Sequence, residues 1–356
     1  CVKREAIKLG FENIHTFDGR VEFTGDESVI PKANLWFRCA SRILIKIGTF
    51  KAVSFEELFQ GTKALPWEEW IPVDGKFTVV GKSVKSTLYS VSDCQAIVKK
   101  AVVDRLSQKY MLPWFDETGA PHQIQFLILR NNVSIMLDTS GAGLHKRGYR
   151  ADSNDAPIKE TLAAAMVDLS RVRANHFVTD PMCGSGTILI EAAMKALNIA
   201  PGLNRYFACE HWNCVPKDVF ETARENARQK IRHDATFRAT GYDIDDSALA
   251  IAKKNAEIAG VADRITFANR DIKDFELEDG FQTIITNPPY GERLLDVKSA
   301  EKLYAVMGEH FKRMKGKSYT VISPDDDFEK IFGRKADKRR KLYNGTLKCE
   351  LYMYFK

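Results

Sequence analysis

From about residue 157 onward, short apolar runs with strand character alternate with helical segments, and four of the strands end at an acidic residue or an asparagine. That alternation confines this part of the chain to a doubly wound α/β sheet, with parallel strands joined by helices. Strands are expected at 176–180, 238–243, 264–269, 281–286 and 318–323, with helices over 187–197, 246–259 and 300–314. An aromatic-rich insertion at 201–216 leads into a further helix ending near His233. The chain closes on strands at 340–343 and 346–355 around Asn344-Gly345, a dipeptide that favours tight hairpins.

Before residue 150 the pattern is different, with short helices and strands mixed in two small α+β units. The first, 1–50, reads as helix, strand, strand, helix, strand, with Asp18-Gly19 turning the first strand pair and a last strand at 42–47. The second, 51–143, has a helix at 54–65 and an alternating strand at 76–84. A long helix ending near Tyr110 follows, with Ser92 and Gln95 as its capping box. Two strands then meet at Asn131-Asn132. The basic, Gly-containing stretch Leu144–Arg150 begins a linker expected over 144–156, and Pro157 opens the helix after it.

The 356 residues, 44% hydrophobic and 28% charged, suit a soluble chain of two or three domains. No apolar run reaches the roughly 18 residues of a membrane helix. The N-terminus has neither an initiator Met nor a signal-peptide core and reads as truncated. Seven cysteines, none in a C-x-x-C pair, point to reduced thiols in a cytoplasmic protein and to no structural metal site. The net charge of +6 is compatible with a polyanionic partner.

In an open parallel sheet, ligands bind beyond the carboxyl ends of the strands. Asp180, Asp243, Asp271 and Asn287 all fall at such ends. Asp180 enters the turn Pro181-Met182-Cys183-Gly184-Ser185-Gly186-Thr187, whose glycines let a ligand approach the backbone. The turn lacks the Lys-Ser/Thr of a P-loop, and Leu189 replaces the third glycine of a dinucleotide fingerprint. Asp243 can accept from ribose hydroxyls, whereas Asp245 or Asp246 suits a helix N-cap. Asp271 can accept from an adenine amine.

Asn287-Pro288-Pro289-Tyr290 is the most specific signal. Paired prolines force the chain out of the sheet and leave carbonyls as acceptors. The Asn287 side-chain oxygen and the Pro288 carbonyl can together hold one amino group with its lone pair aimed at an electrophile, while Tyr290 offers a stacking face. Such an arrangement suits direct methyl transfer from S-adenosylmethionine to an exocyclic base amine, and by itself does not separate guanine N2 from adenine N6. A nucleophilic Cys183 would need an activating partner that the sequence does not supply.

Asp180–Thr187 together with Asn287–Arg293 closely resembles the THUMP-domain RNA methyltransferases, and most nearly the large-subunit ribosomal RNA guanine-N2 methyltransferases, which are often labelled N6-adenine-specific DNA methylases. The resemblance spans nearly the whole chain, including Leu144–Arg150 and Ala156–Glu160. It implies a ferredoxin-like unit (1–50), a THUMP RNA-binding domain (51–143) and a Rossmann-like domain (157–356) with an antiparallel last strand. It implies cofactor contacts at Asp180, Gly184, Gly186, Asp243 and Asp271, with Pro181, Cys183, Ser185, Thr187, Ile244 and Ile272 in the same set. It implies catalysis at Asn287, Pro288, Pro289 and Tyr290, and a cover for the cofactor from the helix beginning at Pro157. Larger members carry a second methyltransferase domain, and only one modification is expected of these 356 residues.

Two basic groups are candidates for RNA contact: Lys82, Lys85, Lys99, Lys100, Arg105 and Lys109 in the THUMP-like part, and Arg334, Lys335, Lys338, Arg339, Arg340 and Lys341 near the C-terminus. The expected substrate is 23S rRNA or its precursor. The alternatives are a tRNA guanine-N2 enzyme, a DNA adenine-N6 enzyme, and an RNA-binding assembly factor with a degenerate pocket.

Overall fold

The structure, a computed structural model, describes residues 1–150, 157–275, 281–290, 297–312 and 316–355. The chain opens with helix α1 (Val2–Lys8), the antiparallel pair β1 (Glu12–Phe17) and β2 (Arg20–Thr24), and helix α2 (Val29–Trp36). Phe11, Phe23 and Phe37 close this unit, the first two stacked with ring centroids 4.6 Å apart.

The next strand, β3 (Leu44–Lys51), does not complete that unit as the sequence suggested. It pairs with β6 (Asn132–Asp138) in a second sheet, of order β3-β6-β5-β4, with β4 (Lys76–Val84) and β5 (Pro121–Leu129) parallel. Pairing along nearly its whole length with β6 outweighs its proximity in sequence to β2. Helices α3 (Phe55–Lys63) and α4 (Val91–Tyr110) accompany this sheet. The cap of α4 is Ser90, not Ser92: its extended backbone lets Oγ accept from the Asp93 amide, while Gln95 donates instead to the Val79 carbonyl. The β5–β6 turn falls one residue earlier than expected, at Arg130-Asn131, both with positive φ, as a two-residue hairpin loop demands.

The third sheet carries seven strands: β7 (Phe177–Asp180), β8 (Arg238–Asp243), β9 (Ile265–Asn269), β10 (Gln282–Thr286), β11 (Ser318–Ser323), β12 (Lys338–Asn344) and β13 (Leu347–Tyr354). Their order is β12-β13-β11-β10-β7-β8-β9, and β13 runs antiparallel between β11 and β12. Helices α5 (Glu160–Leu169), α6 (Thr187–Ala196), α7 (Lys217–Gln229), α8 (Asp246–Ile258), α9 (Val297–Lys312) and α10 (Phe328–Phe332) complete the domain. Pro157 lies outside α5, whose N-cap is Lys159. The chain steps outward from β7 through β8 to β9, then returns to β10 on the other side of β7. This switch point opens a crevice at the strands' carboxyl ends.

Within the expected linker, residues 144–150 form a packed joint; 151–156 lie outside the described residues. Leu144, Arg147 and Tyr149 are buried, and the Arg147 guanidinium donates to Glu191 of α6 and to the carbonyls of Leu144 and Arg38. Arg205 donates to the carbonyls of Ser140, Ala142, Gly143 and Lys146, and its burial lowers its pKa to about 10. Phe207, Cys209 and Trp212 of the 201–216 insertion join the core of the front half. Burying a guanidinium is tolerable only when its donors find partners, and here Arg147 finds the Glu191 carboxylate and two carbonyls, while Arg205 finds four carbonyls of residues 140–146. Among the described residues, no helix is long and apolar enough to cross a membrane.

Candidate functional site

A cavity of about 700 Å³ occupies the switch-point crevice. Its lining includes Asp180, Pro181, Cys183, Gly184, Ser185 and Thr187 from the first turn, Asp243 and Ile244 after β8, Asp271 and Ile272 after β9, and Asn287 and Pro289 after β10. Four loops far apart in sequence thus converge because each follows one strand of the same parallel sheet. Of the residues expected here, Gly186, Pro288 and Tyr290 are not in the lining.

The first turn is shaped by two glycines. Gly184 has φ +49°, and a Cβ there would meet nothing within 4 Å, so its backbone faces open space. Gly186 has φ +78°, and a Cβ would come within 3.1 Å of Ala252 and Phe267. Its role is to let α6 begin against β9 and α8. Asn255 of α8 fastens the turn by donating to the Ser185 carbonyl at 3.2 Å.

The Asp243 carboxylate accepts from the Gly184 amide at 2.8 Å and from the Asp245 amide at 3.1 Å. It therefore ties the first turn to β8 while keeping lone pairs for a ligand. Asp245 caps α8 through Ser247. Asp271 accepts from the Lys273 amide at 3.0 Å. Asp180 is 1% exposed and accepts from the Met182 amide. Burial raises its carboxyl to about 7, with a smaller upward push from Asp243 and opposing help from Thr286 and Met182. Burial, then Asp180 and Asp243, also push the Cys183 thiol up, which disfavours a thiolate nucleophile.

On the opposite wall, β10 is buried along its whole length and delivers Asn287 to the cavity. The Asn287 Oδ1 is buried and has no hydrogen-bond partner among the described residues. Pro288 is buried and Pro289 half-buried. Tyr290 does not present the stacking face expected of it. Its ring packs against the domain core, and its hydroxyl accepts from Asn344 Nδ2 at 3.0 Å.

The sequence reading missed one wall. Ser299, Lys302, Leu303 and Val306 of α9 line the cavity at i, i+3, i+4 and i+7, a single helix face that this spacing could have flagged. Pro157, Ile158 and Arg270 also line the cavity. Among the described residues, no group of three or more His, Cys, Asp or Glu side chains is gathered to hold a metal ion.

The basic candidates divide. Lys82, Lys85 and Lys100 are exposed. Lys99 is exposed too, but pairs with Glu117 at 3.2 Å. Arg105 is engaged by both oxygens of Glu68, and Arg334 by the Tyr319 hydroxyl. Lys338, Arg339, Arg340 and Lys341 lie exposed on β12, the edge strand of the large sheet, with Arg339 3.7 Å from Glu329.

Comparison with known proteins places the geometry in context. A family described as "RMKL-like, methyltransferase domain" matches residues 147–353, a THUMP domain matches 52–138, and an RlmL ferredoxin-like domain matches 1–44. "Putative RNA methyltransferase YpsC" of Bacillus subtilis is 46% identical over 99% of this chain and 92% of its own length. The ribosomal RNA large subunit methyltransferase K/L of Psychromonas ingrahamii is 35% identical over 98% of this chain, which spans only 48% of that relative. The crystal structure of SMU.472 complexed with SAH shares 43% identity over 99% of this chain and 94% of its own, with a TM-score of 0.93.

Proposed function

The chain belongs to the RMKL-like methyltransferase family, and from that premise we propose that it transfers a methyl group from S-adenosylmethionine to the exocyclic N2 amine of a guanine in RNA, with 23S rRNA as the substrate. The observation that carries this reading is Asn287, which lines the cavity together with three strand-end carboxylates and whose buried side-chain oxygen has no hydrogen-bond partner among the described residues. A buried acceptor without a donor costs about 1–3 kcal/mol. An amino group arriving in the cavity would relieve that cost.

The residues present fit the cofactor. The cavity is in the range of about 300–1,000 Å³ usual for small-molecule sites. Gly184 leaves its backbone open, and the Asp243 and Asp271 carboxylates retain acceptor capacity. Asp243 would hold the ribose hydroxyls, Asp271 the adenine amine, and Asp180 a cationic part of the amino-acid end. When bound, S-adenosylmethionine supplies a sulfonium methyl group, an electrophile that an amine lone pair can take directly. Asn287 Oδ1 and the Pro288 carbonyl would accept hydrogen bonds from the amine's two N–H groups and so aim its lone pair, with Pro288 turning its carbonyl toward the cavity that its ring does not line. Alignment of this kind can supply about 7–11 kcal/mol, and no covalent enzyme intermediate is needed.

The RNA assignment rests on the THUMP match at 52–138 and on the RNA named for the two curated relatives. Nucleoside mapping by mass spectrometry of RNA from cells lacking the protein tests it. One N2-methylguanosine in 23S rRNA should be lost; loss of a tRNA modification, or of none, would overturn the ribosomal substrate.

A further inference from the structure

Tyr290 and Asn344 meet although they stand 54 residues apart and on different elements. Tyr290 follows the acceptor loop by two prolines, and Asn344 is the last residue of β12, the strand that carries Lys338–Lys341. The two-residue hairpin loop is Gly345-Thr346, with Gly345 at φ +65°, so Asn344 is held in the ladder opposite Leu347. Its amide donates to the Tyr290 hydroxyl at 3.0 Å, and the buried Cys349 of β13 lies 4.0 Å from the same oxygen. Both residues are half-buried, and the tyrosine ring is packed against the domain core rather than into the cavity.

We infer that Asn344 is a positioning residue for the acceptor loop, acting through the Tyr290 hydroxyl, so that the basic edge hairpin and Asn287 behave as one mechanical piece. The paired prolines transmit the brace. With φ locked at Pro288 and Pro289, a fixed Tyr290 leaves little freedom to Asn287. A polyanion seated on β12 therefore bears on the groups that hold the amine. The inference rests on the proposed transfer to a base amine.

The test compares Tyr290→Phe, Asn344→Ala and the double variant of the full chain. Three quantities are read: kcat and KM with RNA, affinity for S-adenosylhomocysteine, and hydrogen exchange at the Asn287 and Tyr290 amides. Each single variant should lower kcat about tenfold, the loss of one well-placed hydrogen bond. KM and cofactor affinity should stay within about twofold on the same ground. The double variant should be no worse than either single one, and exchange should rise equally in all three. A Tyr290→Phe protein with full kcat and unchanged exchange would overturn the inference, because an aromatic face alone would then suffice. Multiplying losses in the double variant would overturn it as well. Faster exchange in Asn344→Ala with no RNA methylation even by the unaltered protein would keep the brace and reject the proposed substrate instead.

Discussion

The two walls of the cavity are built on opposite terms. On the cofactor side, the Asp243 carboxylate is already engaged by the Gly184 and Asp245 amides, and the turn is fastened by Asn255. On the acceptor side, Asn287 ends a buried strand with its side-chain oxygen unpartnered among the described residues. The carboxylate of one wall already has protein partners, whereas the Asn287 oxygen of the other has none among the described residues. A preformed cofactor wall limits the ordering cost of binding, whereas an unsatisfied acceptor favours the partner that can donate to it.

The contrast breaks first at Asn287. Asn287→Ala should lower kcat by about 10²–10³-fold, the usual effect of removing one preorganised polar group at a reacting centre. Affinity for S-adenosylhomocysteine by calorimetry should stay within about twofold, since the substitution spares the opposite wall. The thermal midpoint should not fall, because the substitution removes a buried acceptor that lacks a partner. Equal loss of transfer and cofactor binding would place Asn287 on the wrong wall. Asp243→Ala should do the reverse. Cofactor affinity should weaken by roughly 10–100-fold, as for lost hydrogen bonds to a charged group, and the midpoint should fall because two amides lose their acceptor.

Asp180 sharpens the comparison through pH. Its carboxyl is raised from 3.8 to about 7 by burial, so the folded chain keeps a proton that the unfolded chain has released. Its contribution to stability is therefore present below the unfolded value and lost as pH rises through about 7. Binding of a cationic ligand favours the ionised form, so cofactor affinity should strengthen from pH 6 to 8. Asp180→Asn should bind more weakly and flatten that profile in calorimetric titrations. A profile unchanged by the substitution would remove Asp180 from the cofactor side.

The smallest expected effects lie outside the cavity. Reversing Lys82 and Lys85, which have no ion pair among the described residues, should weaken RNA binding and flatten its salt dependence by about one slope unit per lost phosphate contact. Reversing Lys99 and Lys100 should also weaken RNA binding, though less, because Lys99 already faces Glu117. Cofactor affinity should not change in either variant. Filter-binding titrations across salt concentrations distinguish the two pairs, and equal RNA affinity in all variants would remove this face from the interface.

Much of this architecture is legible in the sequence because the parallel strands are short, largely apolar runs, each with a polar residue at or just after its carboxyl end. Asp180, Asp243, Asp271 and Asn287 mark those ends, and all four line one cavity. What was hidden depends on partners remote in sequence. Residues 144–150 look like a linker by composition, yet Arg147 and Tyr149 are buried against Glu191 of α6. The partners that make burial tolerable cannot be read from Leu144–Arg150 alone. The pattern of β3 does not reveal that β6, over 80 residues later, is its neighbour. Tyr290 reads locally as a base platform, and only the fold brings Asn344 to its hydroxyl.

The most direct test of the account is an in vitro reaction of the purified protein with isotopically labelled S-adenosylmethionine and total RNA, followed by mass spectrometry of the nucleosides. The account predicts label on the exocyclic nitrogen of guanosine, incorporated about 10²–10³-fold more slowly by Asn287→Ala. Label on a ribose oxygen or a ring carbon would contradict it, since neither site offers the amino group that the role proposed for Asn287 requires.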